Sequence, residues 1–143
     1  MPPFIRLLLA VIAGFVLGSL VNMGLILLGG KLIPPPPGAD VGTVDGLKAS
    51  IHLFGPRHFI FPFLAHAGGT FAGALAAAFL SPGRSAGPAF TVGVLFLLGG
   101  IANTFMIPAP AWFIAVDLLL AYLPAAWLGL ALAQRASKRG RAV

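Results

Sequence analysis

The sequence predicts an all-α integral membrane protein, a bundle of four transmembrane helices with a short interfacial helix in the first extracytoplasmic loop. Hydrophobic residues make up 59% of the 143 residues and charged residues only 8%, whereas soluble domains average about a quarter charged. Four apolar runs are each about 20 residues long, enough for a helix to cross about 30 Å of hydrocarbon. Lys and Arg gather near the ends of these runs.

The four runs place transmembrane spans at residues 7–28, 59–80, 89–107 and 111–133 of a single membrane domain. Helices are expected in all four, because lipid offers backbone groups no hydrogen bonds. Only the fourth span contains a charged residue, Asp117. In the same span Pro124 lacks the amide that would bond to the carbonyl of Leu120, so we expect a kink there. We also expect Tyr122 to satisfy part of the hydrogen bonding that is lost at the kink.

Residues 29–58 form the only sizeable loop, and near its start the four prolines at residues 34–37 favour a stiff polyproline II arm. Farther along, apolar residues recur at helical spacing, with Thr43 as a suitable N-cap and Gly55 and Pro56 as a stop. These apolar residues are Val44, Leu47, Ile51 and Phe54. The pattern predicts a short amphipathic helix on the outer membrane surface.

The basic residues predict the orientation of the chain, because cytoplasmic loops are enriched in Lys and Arg. One set of segment ends carries six of them, Arg6, Arg84, Arg135, Lys138, Arg139 and Arg141, and the other carries Lys31, Lys48 and Arg57. We therefore expect a bacterial inner (plasma) membrane protein with both termini cytoplasmic and a basic cytoplasmic tail at residues 134–143. The net charge of +6 then indicates a lipid bilayer as partner, not nucleic acid.

Small residues four apart allow membrane helices to approach closely. We expect helix packing at Gly14 and Gly18 in the first span, at Gly69 and Gly73 in the second, and at Gly129 in the fourth. The remaining small-residue surface leaves open a homodimer or contact with other membrane subunits.

Each span also carries one polar side chain at a similar depth, about 6–11 Å below the outer boundary. These residues are Asn22, His66, Asn103 and Asp117, and Thr70 and Thr104 lie close to them in the sequence. A charge in lipid costs at least about 2.5 kcal/mol. We therefore expect the polar side chains to turn inward, with Asp117 paired to His66.

Three interpretations of this polar layer stay open: a structural cluster that fixes helix packing, an outward-facing pocket for a small solute or proton, and a metal site. The metal site is least favoured, because His58 and His66 are about 12 Å apart along a helix. The working hypothesis is a small transport or accessory membrane component with the pocket. The alternative is a non-catalytic structural or assembly subunit. An enzyme is third, since no catalytic motif is present, and no cofactor is expected.

Two stretches carry a resemblance to known proteins: "PAPAWFIAVDLLLAYLPAAWLG" at residues 108–129 and "AHAGGTFAGALAA" at residues 65–77. In these stretches the chain resembles small bacterial four-span membrane proteins to which no activity is assigned. The resemblance covers the second to fourth spans. The resemblance implies the same four-helix layout, and it does not indicate any particular activity.

Overall fold

A computed structural model describes residues 2–139, with side chains up to residue 137. The regular elements in this range are all helical: α1 (Pro3–Leu32), α2 (Val44–Ser50), α3 (Ile60–Leu80), α4 (Ala86–Met106), α5 (Ala111–Leu120) and α6 (Leu123–Arg139). Short 3₁₀ turns lie at Ile51–Leu53, Pro56–Phe59 and Pro82–Arg84. Residues 140–143 of the predicted basic tail, including Arg141, lie outside the described residues.

Within the described residues, four helical segments are long and apolar enough to span a membrane: Pro3–Leu32, Pro56–Leu80, Ala86–Met106 and Ala111–Ser137. For this part of the chain, the prediction of an all-helical structure with four such segments is confirmed. The first helix begins four residues before its predicted span and ends four residues after it. It ends at Leu32 because Pro34 disfavours helical backbone at the residue before it, and Ile33 is accordingly extended, at φ −126° and ψ 84°.

Helices α1 and α3 pack against each other backbone to backbone, in antiparallel directions. A Cβ atom added to Gly14 would lie 2.5 Å from the carbonyl oxygen of Gly73, and one added to Gly18 would lie 2.6 Å from that of Gly69. Only hydrogen fits in such a space. The small residues expected at these positions therefore form the contact itself, and most other side chains of α1 are exposed.

The opposite side of α3 packs against α6 through alanine and glycine. A Cβ atom on Gly129 would lie 2.7 Å from the carbonyl oxygen of Phe71, so the two helices touch there as well. The buried core beside this contact consists of Ala74, Ala78, Ala89, Ala126, Leu130 and Ala133. Helix α3 is therefore central, with α1 on one side and α6 on the other.

The fourth apolar segment is broken where the proline predicts a kink. The amide of Ala121 donates to the carbonyl of Asp117 at 2.9 Å and closes α5, and the amide of Ala126 donates to the carbonyl of Tyr122 at 2.8 Å in the first turn of α6. Between these bonds, Pro124 has no amide to offer to the carbonyl of Leu120. The break lets α5 and α6 differ in direction.

The loop between α1 and α3 folds back on itself around α2. The side chain of Thr43 caps α2 by accepting from the amide of Gly46 at 2.9 Å. The buried Ser50 hydroxyl donates to the carbonyl of Gly46 at 2.8 Å and accepts from the amide of Asp40 at 3.1 Å. Helix α2 is shorter than its apolar pattern predicts, because a 3₁₀ turn replaces it from Ile51.

The bundle has two distinct ends. At the basic end, the start of α1 lies beside Leu80 of α3, and the guanidinium of Arg84 donates to the carbonyl of Ala133 in α6. At the loop end, the ring of Phe59 lies 5.6 Å from that of Trp112 and 4.7 Å from that of Phe113. These aromatic contacts bring the start of α5 against the start of α3.

Candidate functional site

The most polar contact inside the bundle joins His66 of α3 to Asp117 of α5. The Nδ1 atom of His66 lies 2.8 Å from Oδ1 and 2.9 Å from Oδ2 of Asp117. The two residues are 51 positions apart in the sequence, so the contact ties two different spans together. The side chain of Asp117 is 7% exposed and that of His66 is 20% exposed. The pair is therefore largely, but not wholly, enclosed.

Tyr122 completes the site, in a role that differs from the one predicted from its position beside Pro124. Its hydroxyl donates to Oδ2 of Asp117 at 2.8 Å, instead of satisfying the backbone carbonyl freed by the proline. Its ring stacks on that of His66, with the centroids 5.8 Å apart. A Cβ atom on Gly100 of α4 would collide with the Tyr122 hydroxyl. The phenol is thus accommodated only because α4 has no side chain there.

Two further residues of the predicted polar layer lie close to this site. Thr70 is fully buried, and its hydroxyl donates to the carbonyl of His66 at 2.7 Å. It therefore binds its own helix and not Asp117. Asn22 of α1 packs against Gly69 of α3, whose added Cβ would lie 2.8 Å from the Asn22 Cβ. The Oδ1 atom of Asn22 is buried and has no hydrogen-bond partner among the residues that the structure describes.

The other two residues of the layer lie apart from the site. Asn103 is exposed, and the hydroxyl of Thr104 donates to the carbonyl of Ile101 at 2.7 Å. The last buried residue of α4 is Gly100. Beyond that residue α4 is exposed except at the half-buried Thr104, so the depth expected for Asn103 does not bring it to the other polar groups.

The arrangement defines the hydrogen-bonding state of the His66 ring. An ionised carboxylate can only accept hydrogen bonds, so the hydrogen shared with Asp117 sits on Nδ1. The second ring nitrogen, Nε2, then carries a lone pair. Among the described residues, the hydrogen bonds of this ring all use Nδ1. The ring can therefore accept a hydrogen bond or a proton at Nε2 while Asp117 holds the ring in place through Nδ1.

Neither of the remaining histidines joins this site. His58 lies in the loop, where its Nδ1 accepts from the amide of Gly55 at 3.0 Å, and His52 is exposed in the same loop. Within residues 2–139, no three His, Asp or Glu side chains are grouped closely enough to hold a metal ion. No protein-family model, curated protein or solved structure matches this chain.

Proposed function

We propose that the chain is a multi-pass protein of a bacterial inner membrane and a small transport or accessory component, with the Asp117–His66 pair as its working site. The basic end of the bundle is assigned to the cytoplasm, because it holds Arg6, Arg84 and Arg135 and the sequence continues with three more basic residues after Arg135. The loop end, with α2 lying on the membrane surface, then faces outward. The Asp117–His66 pair lies in the outer half of the bundle.

The observation that carries this proposal is the incomplete enclosure of a hydrogen-bonded Asp–His pair inside an apolar bundle. Ionisable side chains inside a membrane are costly and are found where they pair or line a path for a solute or proton. Asp117 is paired in this way, because it forms hydrogen bonds with His66 and Tyr122. The side chain of His66 is 20% exposed, and this partial exposure supports a role in a path for a solute or proton.

Proton acceptance and release is the chemistry that this pair supplies best. A neutral histidine has one ring nitrogen that accepts a proton, and a carboxylate on Nδ1 orients the ring and determines which nitrogen that is. Helix α5 buries only Phe113 and Asp117. Most of the surface of this short helix is therefore free of contact with the rest of the bundle, and in the proposed function the route of the proton runs beside it.

A proton-flux measurement tests this function. The purified protein is reconstituted in liposomes that contain a pH-sensitive dye, and flux is driven by a potassium gradient with valinomycin. We expect flux in the wild type, and less than about a tenth of it in Asp117→Asn and His66→Gln, because each removes one of the two side chains that form the pair. Asp45→Asn is the matched control, since it makes the same chemical change in an exposed loop residue.

A second candidate function is favoured by Tyr122. Its hydroxyl and ring hold Asp117 and His66 together, and it sits at the break between α5 and α6 in contact with α4. Such a contact joins three of the four spans, as a structural or assembly subunit would need. Equal flux in wild type and Asp117→Asn, together with a lower unfolding free energy for the variant, favours this candidate.

A further inference from the structure

An apolar groove lies at the basic end of the bundle, between α1 and the last turn of α3. It is lined by Arg6, Leu9, Ala10, Ile12, Ala13 and Leu80. Residues 6, 10 and 13 recur at the spacing that places side chains on one face of a helix. The two alanines leave a slot beside Leu80 that runs along α1, and Arg6 stands at the end of this slot.

The charge of Arg6 is far from every carboxyl side chain of the protein. The chain has three such side chains, Asp40, Asp45 and Asp117. The first two lie in the loop at the opposite end, and the third contacts His66. His66 precedes Leu80 by 14 residues of α3, which is about 20 Å along the helix axis. Arg6 therefore has its positive charge available for a ligand from outside the chain.

We propose that this groove binds one anionic phospholipid, with its phosphate on Arg6 and an acyl chain in the slot beside Ala10 and Ala13. Arginine forms short, charge-assisted hydrogen bonds with phosphate oxygens. Cationic residues near a membrane surface attract anionic lipids. The slot lies along the helix axis and is apolar apart from Arg6, as an acyl chain parallel to α1 requires.

A comparison with the loop end of the bundle supports the choice of site. A second groove there is lined by Arg57 together with apolar residues that include Phe59 and Trp112. The loop at that end also carries both Asp40 and Asp45, which weaken the attraction for an anion. At the basic end, the segments that carry Arg6, Arg84 and Arg135 contain no acidic residue. The net attraction for an anionic headgroup is therefore stronger at Arg6.

Native mass spectrometry of the full-length protein in mild detergent tests the proposal, with phosphatidylglycerol and phosphatidylcholine offered in equal amounts. We expect the wild type to carry about five-fold more bound phosphatidylglycerol than phosphatidylcholine, and Arg6→Gln to carry both equally. Arg135→Gln is the control, because this exposed residue is at the same end and does not line the groove. Equal losses of preference in the two variants would show diffuse charge attraction and overturn the site.

A second variant tests the slot separately from the charge. Ala13→Phe fills the slot and keeps Arg6, and Ala13 is exposed, so the fold tolerates the change. We expect it to lower the bound amount of both lipids while its thermal unfolding temperature stays within about 2 °C of the wild type. If Ala13→Phe binds phosphatidylglycerol as the wild type does, the acyl chain is not in the slot and the proposal is wrong. Neither variant touches Asp117 or His66, so the result is independent of the proposed transport function.

Discussion

The Tyr122 hydroxyl donates a 2.8 Å hydrogen bond to the carboxylate of Asp117, which lies five residues earlier in the same span. In an unbroken α-helix, residues five apart point about 140° away from each other around the axis. Here the helix is interrupted between α5 and α6, so the phenol turns back towards the acid. The break caused by Pro124 is thus a structural requirement of the site, and not only a bend in the span.

Replacing Tyr122 with Phe tests the hydrogen bond between these residues, because Phe keeps the ring that stacks on His66. We expect the free energy of unfolding to fall by about 1 kcal/mol, within the range of polar contacts between membrane helices. Unfolding is followed during titration with a denaturing detergent. The control is a double-mutant cycle with Asp117→Asn. Independent effects of the two substitutions would mean that the hydroxyl and the carboxylate do not interact.

Replacing Gly18 with Leu tests the contact between α1 and α3. The added side chain meets the Gly69 carbonyl and the Phe96 ring, so we expect a loss of about 1–3 kcal/mol in unfolding free energy. Gly24→Leu is the matched control, because no atom lies within 4 Å of a Cβ added there. We expect this control to change the stability by less than about 0.5 kcal/mol. Equal losses for the two variants would place the helix contact elsewhere.

The proposed orientation is tested with single cysteines, since the natural chain contains none. Lys48→Cys lies in the exposed part of the loop. Gly87→Cys lies in the first turn of α4 at the opposite end of the bundle, where a Cβ atom meets no neighbour. In intact cells we expect a membrane-impermeant thiol reagent to label the first cysteine and spare the second. The reverse pattern would invert the orientation and place the Asp117–His66 pair nearer the cytoplasm.

Much of the fold could be predicted from the sequence, because hydrophobicity and small-residue spacing act locally. Four long apolar runs are expected to form helices in lipid, because a helix satisfies its backbone hydrogen bonds within the segment. Glycines four apart mark the faces on which helices approach, and the structure has Gly14 and Gly18 of α1 facing Gly73 and Gly69 of α3. Helix ends were less predictable, since a helix continues past the apolar core until a proline or turn stops it.

The candidate site was only partly predictable from depth along each span. Depth brings His66 and Asp117 to one level, and the structure places them in contact. Depth along a span does not determine which face of the helix packs against its neighbours. Asn103 therefore lies at the same predicted level as His66 and Asp117 and is nevertheless exposed. The role of Tyr122 depends on how far the chain turns at the break, which no local pattern encodes. The nearest sequence indication was its position between Asp117 and Pro124.

In the proposed function, water reaches the Asp117–His66 pair from the outer side. The reactivity of single cysteines at two neighbouring positions of α3 tests this most directly. His66→Cys replaces a partly exposed side chain, and Thr70→Cys, one turn deeper, replaces a fully buried one. With a small, charged, membrane-impermeant thiol reagent added outside, we expect the first cysteine to react at least about ten-fold faster than the second. Complete protection of both cysteines, in variants that remain folded, would contradict the claim and leave the pair as a structural contact.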